Sequence, residues 1–96
     1  MLLKDSTSTH LAELFSALSD PTRLRIISVL LEAELNVGDI ASQLDMTESA
    51  VSHQLRGLRQ LKIVRSRKKG RQVFYTLEDE HVAKLYRMGL DHIEHG

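Results

Sequence analysis

Apolar residues recur along this chain at helical spacing, in blocks separated by short polar punctuation. Leu11, Leu14, Phe15 and Leu18 fall at i, i+3, i+4 and i+7, which predicts a first amphipathic helix from about residue 9 to 19. Asp20-Pro21 restarts the chain, because Asp is a good N-cap and Pro suits the first helical position. A second helix therefore begins at Pro21 and carries Leu24, Ile27, Leu30 and Leu31. Val37, Ile40, Ala41 and Leu44 mark a short third helix, and after the Asp45-Met46-Thr47 turn a fourth places Val51, Leu55 and Leu58 inward. Two short helices joined by a tight turn suggest a helix-turn-helix. From Ile63 the pattern becomes β-like. Ile63-Val64-Arg65-Ser66-Arg67 and Gln72-Val73-Phe74-Tyr75-Thr76-Leu77 flank Lys68-Lys69-Gly70-Arg71 and predict a hairpin over about 63–77. A last helix, about 80–94, presents His81, Leu85, Met88, His92 and His95 as one stripe. No internal repeat or long linker interrupts the series, so residues 1–96 are expected to form a single domain.

The net charge of zero conceals an asymmetry. Residues 47–75 hold eight basic residues (Arg56, Arg59, Lys62, Arg65, Arg67, Lys68, Lys69, Arg71) against one acid, Glu48, a balance of +7 that the remainder offsets. A basic centre between acidic flanks suits a nucleic-acid reader whose flanks serve as scaffold. On the fourth helix, about 48–60, Ser49, Ser52, His53, Arg56 and Gln60 project away from the apolar stripe. They offer small hydrogen-bonding groups near the N-terminus and a cation further along, a face that fits a major groove, although a plain solvated face has the same polarity. Arg67, Lys68, Lys69 and Arg71 crowd like charges on the hairpin tip. That crowding becomes favourable when phosphates lie between the charges, as for a wing riding on DNA, whereas edge protection by lysines is the blander account.

The chain has no cysteine, which excludes disulfides and thiolate metal sites and leaves His, Asp and Glu as the strong side-chain ligands. Asp79-x-His81 and His92-x-x-His95 lie on the last helix. Its rise of 1.5 Å per residue separates His81 from His92 by roughly 16 Å, so these imidazoles share a face but cannot share an ion within one copy. An antiparallel second copy would set Asp79 and His81 of one chain beside His92 and His95 of the other, in two equivalent sites. The alternative is that the histidines sit favourably in the negative C-terminal turn and Asp79 caps the helix. A small domain also gains stability by pairing. No apolar run spans a membrane and the N-terminus lacks a signal-peptide pattern, so the cytoplasm is the expected location.

Several stretches carry a resemblance that covers nearly the whole chain. Ala17-Leu18-Ser19-Asp20-Pro21-Thr22-Arg23-Leu24-Arg25, Glu34-Leu35-Asn36-Val37-Gly38-Asp39, Ser49-Ala50-Val51-Ser52-His53-Gln54-Leu55 and Gly70-Arg71-Gln72-Val73-Phe74-Tyr75 resemble the ArsR/SmtB family of metal-responsive winged-helix repressors. The resemblance implies a mostly α fold with a small β-hairpin, a winged helix-turn-helix that dimerises through its N- and C-terminal helices. It also implies a function. A metal-free homodimer would bind an inverted-repeat operator, with Ser49, Ser52 and His53 at the bases, Arg56 shared between base and phosphate, and Arg67, Lys68, Lys69 and Arg71 on phosphates. Metal would release it. The terminal pattern is similar to the C-terminal-helix site of zinc and cobalt sensors, implying Zn(II) held by Asp79, His81, His92 and His95 in two interchain sites per dimer, with Co(II) as a substitute. Coupling would run from the second nitrogen of His92 to a backbone carbonyl near Lys62.

Where many relatives carry a cysteine this chain has Asn36, which removes their thiolate sites. Nickel sensors recruit further ligands, which here only His10 or the amino terminus could supply, so zinc is favoured. Four nitrogen and oxygen ligands suit tetrahedral zinc and leave no open position for catalysis. The other readings are a winged-helix regulator answering to nickel, cobalt or a non-metal signal, a zinc hydrolase, and a constitutive architectural DNA binder. The hydrolase lacks a cleft or a His-Glu-x-x-His motif, and no enzymatic activity is expected.

Overall fold

The computed structural model describes residues 1–96. Five helices and three short strands follow in the order α1 (Asp5–Ala17), α2 (Pro21–Leu30), β1 (Leu35–Asn36), α3 (Val37–Leu44), α4 (Glu48–Gln60), β2 (Val64–Lys69), β3 (Gln72–Leu77) and α5 (Glu80–His95). Local chemistry starts most of the helices. Asp20 accepts from the Arg23 amide at 3.0 Å, with Pro21 in the first turn. Asn36 caps α3 through the Asp39 amide at 2.8 Å, and Thr47 caps α4 through the Ala50 amide at 3.1 Å. The turn between α3 and α4 is made by Asp45 in the left-handed region at φ 55, with the Met46 amide donating back to Ala41 at 2.9 Å. Lys62 ends α4 in the same way, at φ 58, while the Ile63 amide donates to Leu58 at 2.9 Å. Between β2 and β3 a two-residue turn holds Gly70 at φ 64, a conformation glycine adopts without strain.

The sheet is antiparallel in the order β1-β3-β2, so β3 is central. Tyr75 faces Leu35 on one side and Ser66 on the other. The core is a single cluster built from Ile26, Ile27 and Leu30 of α2, Ile40 and Leu44 of α3, Val51, Leu55 and Leu58 of α4, and Ile63 and Val64 leading into the wing. No polar or charged residue is buried in it.

Two features differ from the sequence expectation. The first helix begins at Asp5, ahead of the apolar stripe, and in this polar turn the Ser8 and Thr9 hydroxyls donate to the Lys4 and Asp5 carbonyls. That stripe is also largely uncovered within the chain, since only Ala17 of α1 is buried and Phe15 is 52% exposed. The second difference is β1, two residues long and too short to show a period.

Candidate functional site

Two surfaces carry the candidate residues. The first is the outer face of α4 together with the wing. Val51, Leu55 and Leu58 pin α4 to the core, which leaves Ser49, Ser52, His53, Arg56 and Gln60 exposed on its far side. The pairing of Val64 with Leu77 and of Lys69 with Gln72 then sorts the wing cations by the two-residue period of the pleat. Lys68 shares a face with Ser66 and Tyr75, whereas Arg65, Arg67 and Lys69 lie on the other. On that other face the cations are engaged. Arg67 makes two parallel hydrogen bonds, 2.7 and 2.8 Å, to the Glu34 carboxylate. Lys69 lies 6.0 Å over the Phe74 ring, and Arg65 donates to Thr76 at 3.4 Å. The Arg67 hydrogen bonds hold the Glu34 carboxyl below its usual range, and the Glu34 carboxylate raises Arg67 in return. Lys68 and Arg71 are exposed and take part in none of the ion pairs.

Nothing in the sequence pointed to the Glu34 pair, because its partners lie 33 residues apart. Nor did it single out the hollow beside α4 that Arg59 and Tyr75 line with Ser52, Leu55, Arg56 and Gln60. Both arginines stood in the basic count, but only the packing of the sheet beside α4 brings Tyr75 next to them.

The second surface is α5. Asp79 caps this helix, its Oδ1 accepting from the amides of His81 at 2.9 Å and Val82 at 3.4 Å, and its Oδ2 lies 3.4 Å from His81 Nδ1. Asp79 and His81 are thus adjacent at one end of the helix. At the other end His92 and His95 stand exposed, with His95 Nδ1 3.0 Å from Asp91 Oδ1. Nowhere in one chain do three His, Asp or Glu side chains come together around a point that could hold an ion. No hydrogen bond joins the His92 ring to Lys62 within the chain, whose amide donates to Arg59 at 3.0 Å. His10 lies on α1 in a shallow hollow with Glu13, Gln60 and Lys62. Between its charged ends α5 presents one apolar, open face. Leu85, Tyr86, Leu90 and Ile93 form with Phe15, Leu18 and Leu24 a groove of about 450 Å³, and Ile93 is 82% exposed.

Partial burial pushes the Asp79 carboxyl up, but the two backbone amides and the His81 ring together outweigh it and hold the group below its usual value of 3.8. A folded-state value below the unfolded one stabilises the fold above the unfolded value, and the stabilisation is lost as pH falls through the folded one. Asp79→Ala should therefore lower the urea midpoint at pH near 7, and the difference should shrink in acid below the usual carboxylate range. An equal gap at both pH values would show that the carboxylate charge contributes nothing.

A helix-turn-helix followed by a β-hairpin wing, with the second helix of the pair exposing a polar face, defines a winged helix-turn-helix protein. Residues 20–66 match the model described as "Bacterial regulatory protein, arsR family". Over 85 residues the chain is 52% identical to the transcriptional repressor SmtB homolog of Synechocystis, an alignment that covers 88% of this chain and 64% of that protein. It is 45% identical over 82 residues to the cadmium resistance transcriptional regulatory protein CadC homolog of Staphylococcus aureus, covering 84% and 68% of the two chains. Among solved structures, the homodimeric winged helix-turn-helix DNA-binding domain Mb0332 of Mycobacterium bovis matches with a TM-score of 0.87 at 26% identity, over 99% of this chain and 92% of that one. The chain belongs to the arsR family of bacterial regulatory proteins. It is a transcriptional regulator and not an enzyme. No helix is long and apolar enough to cross a membrane.

Proposed function

We propose that this protein is a homodimeric repressor that binds an inverted-repeat operator when metal-free and releases it when Zn(II) binds. One observation carries the reading. α5 and its cap Asp79 bear the four proposed ligands, and the same helix bears the open apolar groove, so covering that groove with a second copy brings metal-competent ends of two chains toward one another. The homodimeric state of the Mb0332 domain and the regulatory role of the cadmium-resistance relative support it.

In this reading α1 and α5 of two copies pack together. Asp79 and His81 of one copy, with His92 and His95 of the other, hold the ion in two equivalent sites. The donor set fits the group, being exposed imidazoles and a carboxylate already held in its charged form. Zinc in such a site supplies a rigid cross-link, Co(II) substitutes for it, and neither does chemistry on a substrate. Ser49, Ser52 and His53 approach base edges, with Arg56 shared between base and phosphate. Lys68 and Arg71 supply sequence-independent affinity. Arg67 and Lys69 join them only by exchanging Glu34 or the Phe74 ring for phosphate. The coupling route from His92 runs to a carbonyl near Lys62, at the left-handed turn that ends the recognition helix.

The test is fluorescence anisotropy on DNA from upstream of the protein's own gene, with Zn(II) added and then removed by chelator. Release at about one zinc per protomer supports the reading, and tight binding indifferent to zinc refutes it. In the same assay the Lys68→Ala, Lys69→Ala variant should reduce the slope of log affinity against log salt by up to about two, roughly 0.9 for each phosphate no longer neutralised. An unchanged slope would remove the wing from the DNA-binding surface.

A further inference from the structure

Between α4 and the central strand lies a hollow of about 610 Å³ lined by Ser52, Leu55, Arg56, Arg59, Gln60 and Tyr75. Arg56 and Arg59 are three residues apart on one helix, so their charges lie side by side. Like charges so close repel and disfavour the helix unless an anion lies between them. Neither arginine is in any of the four ion pairs, which involve Arg67, His81, Arg87 and His95. A cation near the last turn of α4 accounts for Arg59 through the helix dipole, but not for Arg56 a turn earlier. Tyr75 is half-buried against the core on the central strand, which fixes its ring, and its hydroxyl has no partner in the chain and is not sealed from solvent. Two unpaired guanidiniums, a serine hydroxyl and a fixed phenol around one hollow make a donor-rich, acid-free pocket. Lys68 lies on the same face of the sheet as Tyr75, further toward the wing tip.

We propose that this hollow seats one phosphate of the DNA backbone, Arg56 and Arg59 supplying the charge and the Tyr75 hydroxyl a neutral hydrogen bond, with Ser52 at the rim left free for a base edge. The proposal rests on the regulator reading above and adds Arg59 and Tyr75 to its DNA-binding surface. A phosphate clamped here sits between recognition helix and wing, and so sets how deeply α4 enters the groove. The shared chemistry is a phosphate oxyanion, which a free anion could also supply. The backbone is favoured because the hollow adjoins the exposed face of α4 and opens to solvent beside it.

Anisotropy across a salt series tests the proposal, using the full chain on the upstream duplex and on an unrelated duplex of equal length. Arg59→Gln should weaken both duplexes alike and reduce the salt slope by about one. Tyr75→Phe keeps the ring in the core and should weaken both roughly tenfold with no change in slope. An unchanged slope and affinity in Arg59→Gln, with the parent binding normally, overturns the proposal and leaves the regulator reading standing. If inorganic phosphate then saturates the amide NMR shifts of Ser52 and Tyr75, the occupant is a free anion instead. If the parent binds neither duplex, the regulator reading itself fails and takes the proposal with it.

Discussion

The dimer should lose about 5- to 150-fold of its affinity for operator DNA when zinc is added, the range that a coupling of about 1–3 kcal/mol gives. His92→Ala should remove the loss. The expectation follows from where the residues stand. Asp79 and His81 are held together at the start of α5 by the cap, and His92 and His95 are exposed a helix length away, so any shared ion must tie two copies together. Such a tie weakens DNA binding only by favouring a dimer geometry that the operator disfavours. Reciprocity then requires DNA to weaken zinc binding by the same factor, which isothermal titration of zinc into free and DNA-bound dimer measures. Protons compete for the same imidazole nitrogens, so apparent zinc affinity should fall with pH. A dimer carrying both His81→Ala and His95→Ala that still released DNA on zinc addition would show that the signal enters elsewhere.

Leu58→Ala should cost about 2–5 kcal/mol, the range for truncating a fully buried leucine. The side chain is 0% exposed, on the inner face of the recognition helix, and its carbonyl accepts the Ile63 amide that ends the helix. For a domain of this size each kcal/mol moves the melting temperature by roughly 4–8 °C, so calorimetry at fixed protomer concentration should show a fall on the order of 10 °C or more. Ser52→Ala, on the opposite face of the same helix, should change stability by no more than about 0.5 kcal/mol while weakening DNA binding. A small loss in Leu58→Ala would mean that the helix is held from outside the core.

The winged helix-turn-helix was legible because its signals are local. Asp20-Pro21 starts a helix through a bond three residues away, and the Gly70 turn divides two runs of strand formers, whereas the caps by Asn36 and Thr47 became visible only in the structure. The start of α1 was not legible, since Asp5-Ser6-Thr7-Ser8 carries no apolar residue from which to read a period. Its stripe announced a helix but not that Phe15 and Leu11 stay exposed, because periodicity marks an apolar face without showing what packs on it. On the site, the exposed face of α4 could be read from helix geometry alone. The division of the wing cations could not, because a one-residue change of register would have moved Lys68 to the other face.

Asn36 does two things with one amide. Its Oδ1 caps α3, while its Nδ2 donates to Gln72 Oε1 at 2.8 Å at the base of the wing turn, and two residues earlier Glu34 grips Arg67 on the neighbouring strand. These two contacts add to the backbone pairing of β1 with β3 in fastening the wing to the segment that opens the helix-turn-helix. Hairpin and helix pair are thus tied into one unit. If the operator is released as proposed, a twist applied at the far end of the molecule would reach bases and backbone together, and the protein would let go of DNA as a unit instead of peeling away from it piece by piece.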